Sequence, residues 1–220
     1  MNTDTARAAI LAQIRARQGR PAALHAMEVQ DVEVDIGRHV RGPQPSISAD
    51  RVAAFTTQAL ALQTSVARVA AMADVPAAVA GYLHEQGLGL EGVVWDTLAD
   101  LPWQQAGLAL DARPPRDADQ LGINGCFCAV AETGSLVLAS SLTTPASTHL
   151  LPETHIAIVP ASRIVATLED AYALLRTELG ELPRALSTVS GPSRTGDIEQ
   201  TIVLGAHGPY RVHVVIVDAA

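Results

Sequence analysis

One stretch, GPSRTGDIEQTIVLGAHG at residues 191–208, organises the second half of the chain. Residues 185–190 before it alternate small, apolar and hydroxyl side chains and predict a strand, which the Gly-Pro pair ends. Hydroxyl and acidic residues that begin helices follow, and apolar residues at helical spacing predict a short helix that Gly205 closes. A β-branched run at residues 211–217 predicts the next strand.

The start of this predicted helix suits an anion. A helix N-terminus presents free N–H groups and the positive end of the helix dipole. Arg194 adds a planar guanidinium fork, and Ser193 and Thr195 add hydroxyl donors. The same residues can also do no more than cap the helix, with Arg194 paired to Asp197 or Glu199. The candidate ligand-binding residues of the stretch are Gly191, Ser193, Arg194, Thr195, Asp197, His207 and Gly208.

Composition limits the class of protein. The chain has 220 residues, of which 48% are hydrophobic and 17% charged, enough for one domain with a sizeable core. Aromatic residues make up only 3%, so the core must consist mainly of Ala, Val, Leu and Ile. The net charge of -8 argues against a nucleic-acid or anionic-membrane partner. We find no apolar signal core and no membrane-length stretch, and we expect a cytoplasmic protein.

The chain contains no lysine and only two cysteines. The absence of lysine excludes Schiff-base catalysis and a P-loop lysine. An iron–sulfur cluster normally takes four thiolates, so this chain cannot hold one alone. If Cys126 and Cys128 lie on a strand, both thiols point to the same face. A disulfide or a metal site there, which would need further ligands, is the alternative. Buried structural cysteines are the favoured interpretation, and no spacing typical of metal ligands appears.

The order of predicted elements indicates an α/β domain at residues 48–220, preceded by an appendage at residues 1–47. In the appendage we predict a helix at residues 3–18, a short edge strand at residues 29–36 and a linker after it. In the domain, strands alternate with helices, which favours a parallel sheet. Helices are predicted at residues 48–62, 74–87, 98–105 and 168–179, and strands at residues 64–70, 91–95, 107–111, 126–131, 135–139, 155–159 and 163–165.

A second candidate site lies at the turn between two of these strands. Glu132 stands where a strand ends, which is where ligands gather in α/β proteins. Its carboxylate can act as a general base or as a covalent nucleophile. It can equally do no more than hydrogen-bond the turn with Thr133. The candidate residues are Glu132 as the catalytic group and Thr133, Gly134 and Ser135 as ligand-binding residues.

Five motifs now carry a family resemblance: GINGC at 122–126, AETGSLVL at 131–138, LLPETH at 150–155, GPSRTGDIE at 191–199 and GAHGP at 205–209. On these motifs, taken together and in this order, the chain resembles the lactate-utilisation protein C family, whose shared module is the LUD domain. The resemblance implies a Rossmann-like three-layer α/β sandwich similar to the sugar-phosphate isomerase and CoA-transferase superfamily. It also implies a role in oxidising L-lactate to pyruvate beside two iron–sulfur partner proteins. This chain would be the component without a cluster, so we expect it to hold no cofactor.

Three functional hypotheses follow. The first is a non-redox component of a lactate-oxidising system that binds partner proteins and a small organic anion near Arg194. The second is a stand-alone enzyme acting on a CoA ester or sugar phosphate. There Glu132, whose position is similar to that of the CoA-transferase glutamate, is the nucleophile or base. The third is a scaffold in which the motif residues are structural. The missing lysine counts against the isomerase and folate cyclo-ligase branches of the superfamily.

Overall fold

The computed structural model describes residues 3–19, 22–198 and 201–219, which divide into two compact units. The first unit ends at Gln44 and contains helices α1, Thr3–Gln18, and α2, Ala22–Arg38. The second unit begins at Pro45. None of the helices among the described residues is both long enough and apolar enough to cross a membrane.

The predicted edge strand at residues 29–36 is wrong, because these residues belong to α2. Alternation of valine with acidic residues suggested a strand. However, Val29, Val32 and Ile36 also recur at the i, i+3, i+7 spacing of a helix. All three side chains are exposed. The sequence pattern is therefore compatible with the period of a strand and with that of a helix, and the segment forms a helix.

In the second unit, twelve strands and four α-helices form among the described residues. The helices are α3, Arg51–Ala61; α4, Val75–Glu85; α5, Ser147–Leu150; and α6, Leu168–Leu179. The strands are β1, Ser65–Ala71; β2, Glu91–Val94; β3, Ala109–Asp111; β4, Leu121–Gly125; β5, Cys128–Val130; β6, Ser135–Ala139; β7, Thr154–Pro160; β8, Ile164–Val165; β9, Leu186–Val189; β10, Arg194–Ile198; β11, Thr201–Leu204; and β12, Arg211–Ala219.

Six parallel strands form the central sheet in the order β1-β12-β7-β4-β2-β3. A second sheet, β8-β5-β6-β9, is mixed, and β10 and β11 form a separate antiparallel hairpin. The predicted α/β sandwich with a parallel sheet is confirmed. Most of the predicted strands, and the predicted helices that correspond to α3, α4 and α6, are present in the structure. In these segments the hydrophobic period and the capping residues indicate the same element.

Three core clusters define the layers. One cluster joins α4 to the central sheet, through residues such as Val79, Leu83 and Ile156. The second lies between the other face of that sheet and both α3 and the second sheet. The third joins the second sheet to α6, with Val137 against Leu175. The small number of aromatic residues is consistent with this aliphatic packing.

The predicted helix within residues 193–204 is wrong. Residues 194–198 and 201–204 are strands whose register pairs Arg194 with Leu204 and Thr195 with Val203. Five β-branched residues occur between positions 195 and 203, and such side chains favour strands over short helices. Glu199 and Gln200, which the predicted helix included, lie outside the described residues. Gly205 does adopt a left-handed φ of 77°, but it follows a strand.

The central strand β4 was not predicted from the sequence. Two glycines and an asparagine within five residues gave it no strand signal. A Cβ atom added at Gly122 would collide with the carbonyl oxygen of Thr148 in α5. Glycine therefore allows α5 to pack directly on the sheet backbone, a requirement that only the tertiary contact reveals.

Candidate functional site

Two of the predicted site segments converge on the C-terminal end of α3. Gly134 has a φ of 64°, and a Cβ atom there would lie 2.5 Å from the backbone nitrogen of Ala59. Gly191 has a φ of 83°, and a Cβ atom there would overlap the carbonyl oxygen of Leu62. Both glycines thus combine a left-handed conformation with close contact to the same helix end. Their placement here serves packing.

Arg194 binds the same helix end. Its Nη2 atom donates to the Leu62 carbonyl oxygen at 3.2 Å and to Gln63 Oε1 at 2.7 Å. A guanidinium is favourable beside the last carbonyls of a helix, where the dipole is negative. In this structure Arg194 therefore stabilises the end of α3. The alternative pairing of Arg194 with Asp197 or Glu199 involves side chains that lie outside the described part of the structure.

Hydrogen bonds between hydroxyl groups link Thr133 and Ser135, two further predicted site residues, to Ser190. Thr133 Oγ1 donates to Ser135 Oγ at 2.8 Å, and Ser135 Oγ lies 2.6 Å from Ser190 Oγ. Ser135 is buried, so these bonds satisfy its hydroxyl group away from water. The chain joins the β5–β6 turn to the end of β9, and it brings residues 55 positions apart into contact.

Glu132 lies at the start of α6. Its backbone N–H donates to the Ala166 carbonyl oxygen at 2.9 Å, and its carboxylate Oε2 accepts the Leu168 N–H at 3.3 Å. The first turn of a helix has unpaired N–H groups and a positive dipole end, both of which favour a carboxylate. The carboxylate of Glu132 therefore supports the start of α6, and this partner lies outside the β5–β6 turn.

The remaining predicted ligand residues lie around the β10–β11 hairpin. The Ser193 N–H donates to the Pro209 carbonyl oxygen, and the Ser193 carbonyl oxygen accepts the Gly205 N–H, each at 2.9 Å. Gly208 packs beside Ser193, and His207 is exposed. Thr195 and Asp197 are strand residues of β10. Residues 194–198 are extended, so the helix N-terminus that motivated an anion site is not formed at that position.

By contrast, a cluster of buried polar side chains is formed by residues of α5 and of the two strands β4 and β7. The residues are Asn124, Thr148, His149 and His155, each at most 1% exposed. His155 Nε2 lies 3.0 Å from Asn124 Oδ1, and the two imidazole rings have centroids 5.9 Å apart. Burial lowers the pKa of His149 to about 4, and burial together with the neighbouring His149 lowers the pKa of His155 to about 3. Both rings are therefore neutral at physiological pH.

Among the described contacts, several atoms of this cluster lack a hydrogen-bond partner: Asn124 Nδ2, Thr148 Oγ1, both nitrogens of His149 and Nδ1 of His155. Such groups normally bind ordered water when they are buried. A third buried histidine, His213, pairs its Nδ1 with Ser65 Oγ at 2.8 Å and stacks on Tyr82 at 3.9 Å. Burial lowers its pKa to about 4.

A cavity of about 520 Å³ opens at the carboxyl edge of the central sheet, and we call it the switch-point cavity. The chain leaves β2 toward β3 at one side of the sheet and leaves β4 toward β7 at the other. Ligands of open α/β sheets bind where the connections that follow two neighbouring strands run in opposite directions in this way. The cavity is lined by Trp95, Thr97, Gly125, Cys126, Phe127, Ala139, Ser140, Ser141, Thr144, Leu179, Glu181 and Pro183.

None of the sequence-predicted site residues lines this cavity. Its residues come from the last residues of β4, β6 and α6 and from the segments that follow these elements and β2. Of the five family motifs, only GINGC reaches the cavity, through Gly125 and Cys126. Prediction of β4 would have been the available signal, since the end of a central strand indicates a ligand site. The switch-point cavity therefore became visible only when the sheet order was known.

The predicted strand at residues 126–131 begins only at Cys128, so the two cysteines do not lie on one strand as predicted. Cys126 precedes β5 and packs at the border of the second core cluster, whereas Cys128 lies within β5 in the third. Burial raises the pKa of Cys126 to about 12 and that of Cys128 to about 11, so both thiols stay protonated at neutral pH. Within the described ranges, no group of three or more His, Cys, Asp or Glu residues could hold a metal ion.

Comparison with known proteins places the motifs in context. The model of the LUD domain matches residues 117–217. Lactate utilization protein C of Bacillus licheniformis is 35% identical over 138 residues, which cover 59% of this chain and 57% of that protein. Lactate utilization protein C of Bacillus subtilis is 37% identical over 101 residues, covering 44% of this chain and 42% of that protein. The chain thus spans about half the length of the curated relatives it matches.

A solved structure shares the fold. The crystal structure of a DUF162 family protein from Deinococcus radiodurans superposes with a TM-score of 0.60 at 26% identity. The match covers 79% of this chain and 99% of that chain. The matched LUD segment includes β4 to β7, the β10–β11 hairpin and most of β12. It therefore contains the glycines that pack on α3, the buried histidines and part of the lining of the switch-point cavity.

Proposed function

This chain belongs to the lactate-utilisation protein C family of LUD-domain proteins, and from that premise we propose that it is a component of an L-lactate utilisation system. The observation that carries the proposal is the match of residues 117–217 to the LUD domain together with relatives named lactate utilization protein C. In this role the chain assists the conversion of L-lactate to pyruvate without supplying the redox centre.

Electron transfer is assigned to partner proteins. The reaction removes two electrons and two protons from L-lactate, and the electrons need an acceptor. This chain has two cysteines, whereas an iron–sulfur cluster normally takes four thiolates. We therefore propose that iron–sulfur lactate-utilisation proteins are its partners and carry the electrons, and that the chain itself holds no cofactor.

A small organic anion completes this proposal. Arg194 is exposed in β10, and Ser193 and the exposed His207 belong to the same hairpin region. Arg194 also supports the end of α3, so its loss lowers stability with or without a ligand. Anion binding must therefore be read from the ligand-induced change in midpoint temperature, measured with L-lactate and with pyruvate, in the parent and in Arg194→Gln. An equal change in both proteins would remove Arg194 from the proposed site.

Genetics tests the role in lactate utilisation. Deletion of the gene for this chain should abolish growth on L-lactate, leave growth on pyruvate unchanged, and be complemented by the full chain. Normal growth of the deletion strain on L-lactate would refute the role. A pull-down with the tagged full chain should retain proteins that contain iron, measured as iron in the eluate. An eluate without iron, from a strain that grows on L-lactate, would refute the partner assignment.

The structure gives the enzyme alternative little support, but the alternative can be tested directly. Glu132 accepts the Leu168 N–H at the start of α6 and does not line the switch-point cavity. Glu132→Gln keeps an oxygen that can accept this bond, so the fold should persist. If the isolated chain turned over a CoA ester or a sugar phosphate and this variant did not, the alternative would replace our proposal. Retained growth of the variant on L-lactate agrees with a structural role for Glu132.

A further inference from the structure

The switch-point cavity has the position and size of a small-molecule site that neither the family motifs nor the relatives' names assign. Its volume of about 520 Å³ lies within the range of about 300–1,000 Å³ that is usual for ligand pockets. Four separate segments line it, each at or directly after the end of a strand or helix. Sites on such segments hold their geometry better than sites on long loops.

One aromatic wall of the cavity is held by two hydrogen bonds. Trp95 follows β2 and is 4% exposed. Its backbone N–H donates to the Ile123 carbonyl oxygen at 3.0 Å, and its indole Nε1 donates to the Pro145 carbonyl oxygen at 3.1 Å. The indole N–H is thus satisfied within the protein, and the ring offers apolar surface to the cavity.

The second aromatic wall is equally fixed. The Phe127 N–H donates to the Val137 carbonyl oxygen at 2.8 Å, and the Phe127 carbonyl oxygen accepts from Arg163 Nε at 2.8 Å. The guanidinium of Arg163 lies 4.8 Å from the centre of the phenyl ring. Two walls that are ordered before binding reduce the entropy lost when a flat ligand enters.

The charges around the cavity disfavour anions. Glu181 is the charged residue among its lining residues, and Cys126 at the cavity wall stays protonated. Arg163, behind Phe127, donates to both carboxylate oxygens of Glu178 at 2.7 and 2.9 Å, so its charge is balanced. A carboxylate or phosphate entering the cavity would lose hydration next to a carboxylate without gaining a cation.

We propose that the switch-point cavity binds a small uncharged planar heterocycle, with its ring against Trp95 and Phe127 and its polar edge toward the hydroxyl groups of the rim. Those hydroxyls belong to Thr97, Ser140, Ser141 and Thr144. Ser140 Oγ accepts the Ala185 N–H at 2.9 Å and Ser141 Oγ accepts from Thr144 Oγ1 at 2.8 Å, so both serine hydroxyls keep a proton that they can donate to the ligand. This site is separate from Arg194 and the proposed organic anion. The chain therefore has a second ligand, selected by ring shape and by the absence of negative charge.

Pairs of probe compounds that share a ring system and differ in charge test both parts of the proposal. Isothermal titration calorimetry on the full chain should compare nicotinamide with nicotinate, indole with indole-3-acetate, and adenosine with AMP. We expect at least one uncharged member to bind, and to bind at least about fivefold more tightly than its anionic partner. Absence of binding by all three uncharged compounds would overturn the proposal. Equal or tighter binding of the anionic members would do the same.

A pair of neighbouring substitutions locates the ligand. Ser141 lines the cavity and is exposed, so Ser141→Trp fills the opening without disturbing the core. Leu142 is next to it, fully exposed and outside the lining, so Leu142→Trp is the matched control. Binding should weaken by about tenfold or more in Ser141→Trp and stay unchanged in Leu142→Trp. Equal affinities in the two variants would place the ligand elsewhere and refute the site.

Glu181→Gln gives an independent check of the charge argument. Removal of the carboxylate should reduce the preference for the uncharged member of each pair, because the anionic member no longer meets a negative charge at the cavity. An unaltered preference would contradict the role of Glu181. These measurements do not depend on the lactate proposal, because growth on L-lactate and retention of iron-containing partners are read out separately.

Discussion

Acid should destabilise this protein well above the pH at which its carboxylates titrate. His149, His155 and His213 are buried, and burial lowers their pKa values from 6.5 to about 4, about 3 and about 4. The unfolded chain takes up these three protons as pH falls through 6.5, whereas the folded chain does not take them up until pH 3–4. The unfolded state therefore binds more protons in this window, and stability falls as pH falls.

The size of the effect follows from these pKa values. Between pH 8 and pH 5, each histidine contributes about 1.5 pH units of differential protonation, or about 2 kcal/mol of lost stability. Three such residues together lose about 6 kcal/mol, comparable to the whole stability of a typical domain, about 5–15 kcal/mol. The lowered pKa values of Asp119 and Glu178 act below this window, because their usual values are 3.8 and 4.5.

Urea denaturation of each variant at pH 8 and at pH 5 gives its free energy of unfolding at both pH values. The comparison uses the difference between these two free energies, so a change in stability that is the same at both pH values cancels. His149→Met removes one titrating ring and has a similar volume, and it should reduce the loss from about 6 to about 4 kcal/mol. His84 lies exposed on α4, and His84→Gln should retain the loss of the parent. The reasoning is refuted if His149→Met shows the same pH 8 to pH 5 difference as the parent.

Three further predictions concern the residues that the sequence analysis proposed as a site. Gly191→Ala should destabilise by about 3 kcal/mol in urea denaturation because of its φ of 83° and its contact with α3. Gly87→Ala, with a φ of 64° in open space, should cost only about 1 kcal/mol, and equal costs would argue against the contact. Arg194→Gln should lower stability by about 0.5–1 kcal/mol, and the exposed Arg184→Gln should have no effect. Glu132→Ala should cost about 1 kcal/mol and Glu132→Gln clearly less, and equal losses would contradict its role at the start of α6.

Local signals in the sequence were sufficient where one residue pattern excluded its competitor. The α6 prediction matches Leu168–Leu179 because Thr167 forms a capping box with Asp170 and Gly180 follows the last turn. Similarly, β12 is a β-branched run that no helical spacing explains. The family motifs required no structure either, since their order along the chain is a property of the sequence.

Local signals failed where two patterns were both satisfied. The hairpin β10–β11 begins with residue types that also cap helices, and pairing between its two strands decided the outcome. The glycines and asparagine of β4 conceal a central strand, and tertiary contacts explain two of them: Gly122 packs against α5, and Asn124 pairs with His155. In each case the deciding contact is made with another segment, 8–10 residues away in the hairpin and 26–31 residues away for β4.

Function divides in the same way. The sequence alone determined the α/β class, the family, the lack of lysine chemistry and the small number of thiols, because these depend on composition and on short motifs. Only the tertiary structure showed that Gly134, Gly191 and Arg194 meet at one end of α3. It alone also placed three neutral histidines in the interior and opened a cavity between the ends of β2 and β4. The physical reason is that burial, pKa and cavity shape depend on packing between distant segments, which no local pattern records.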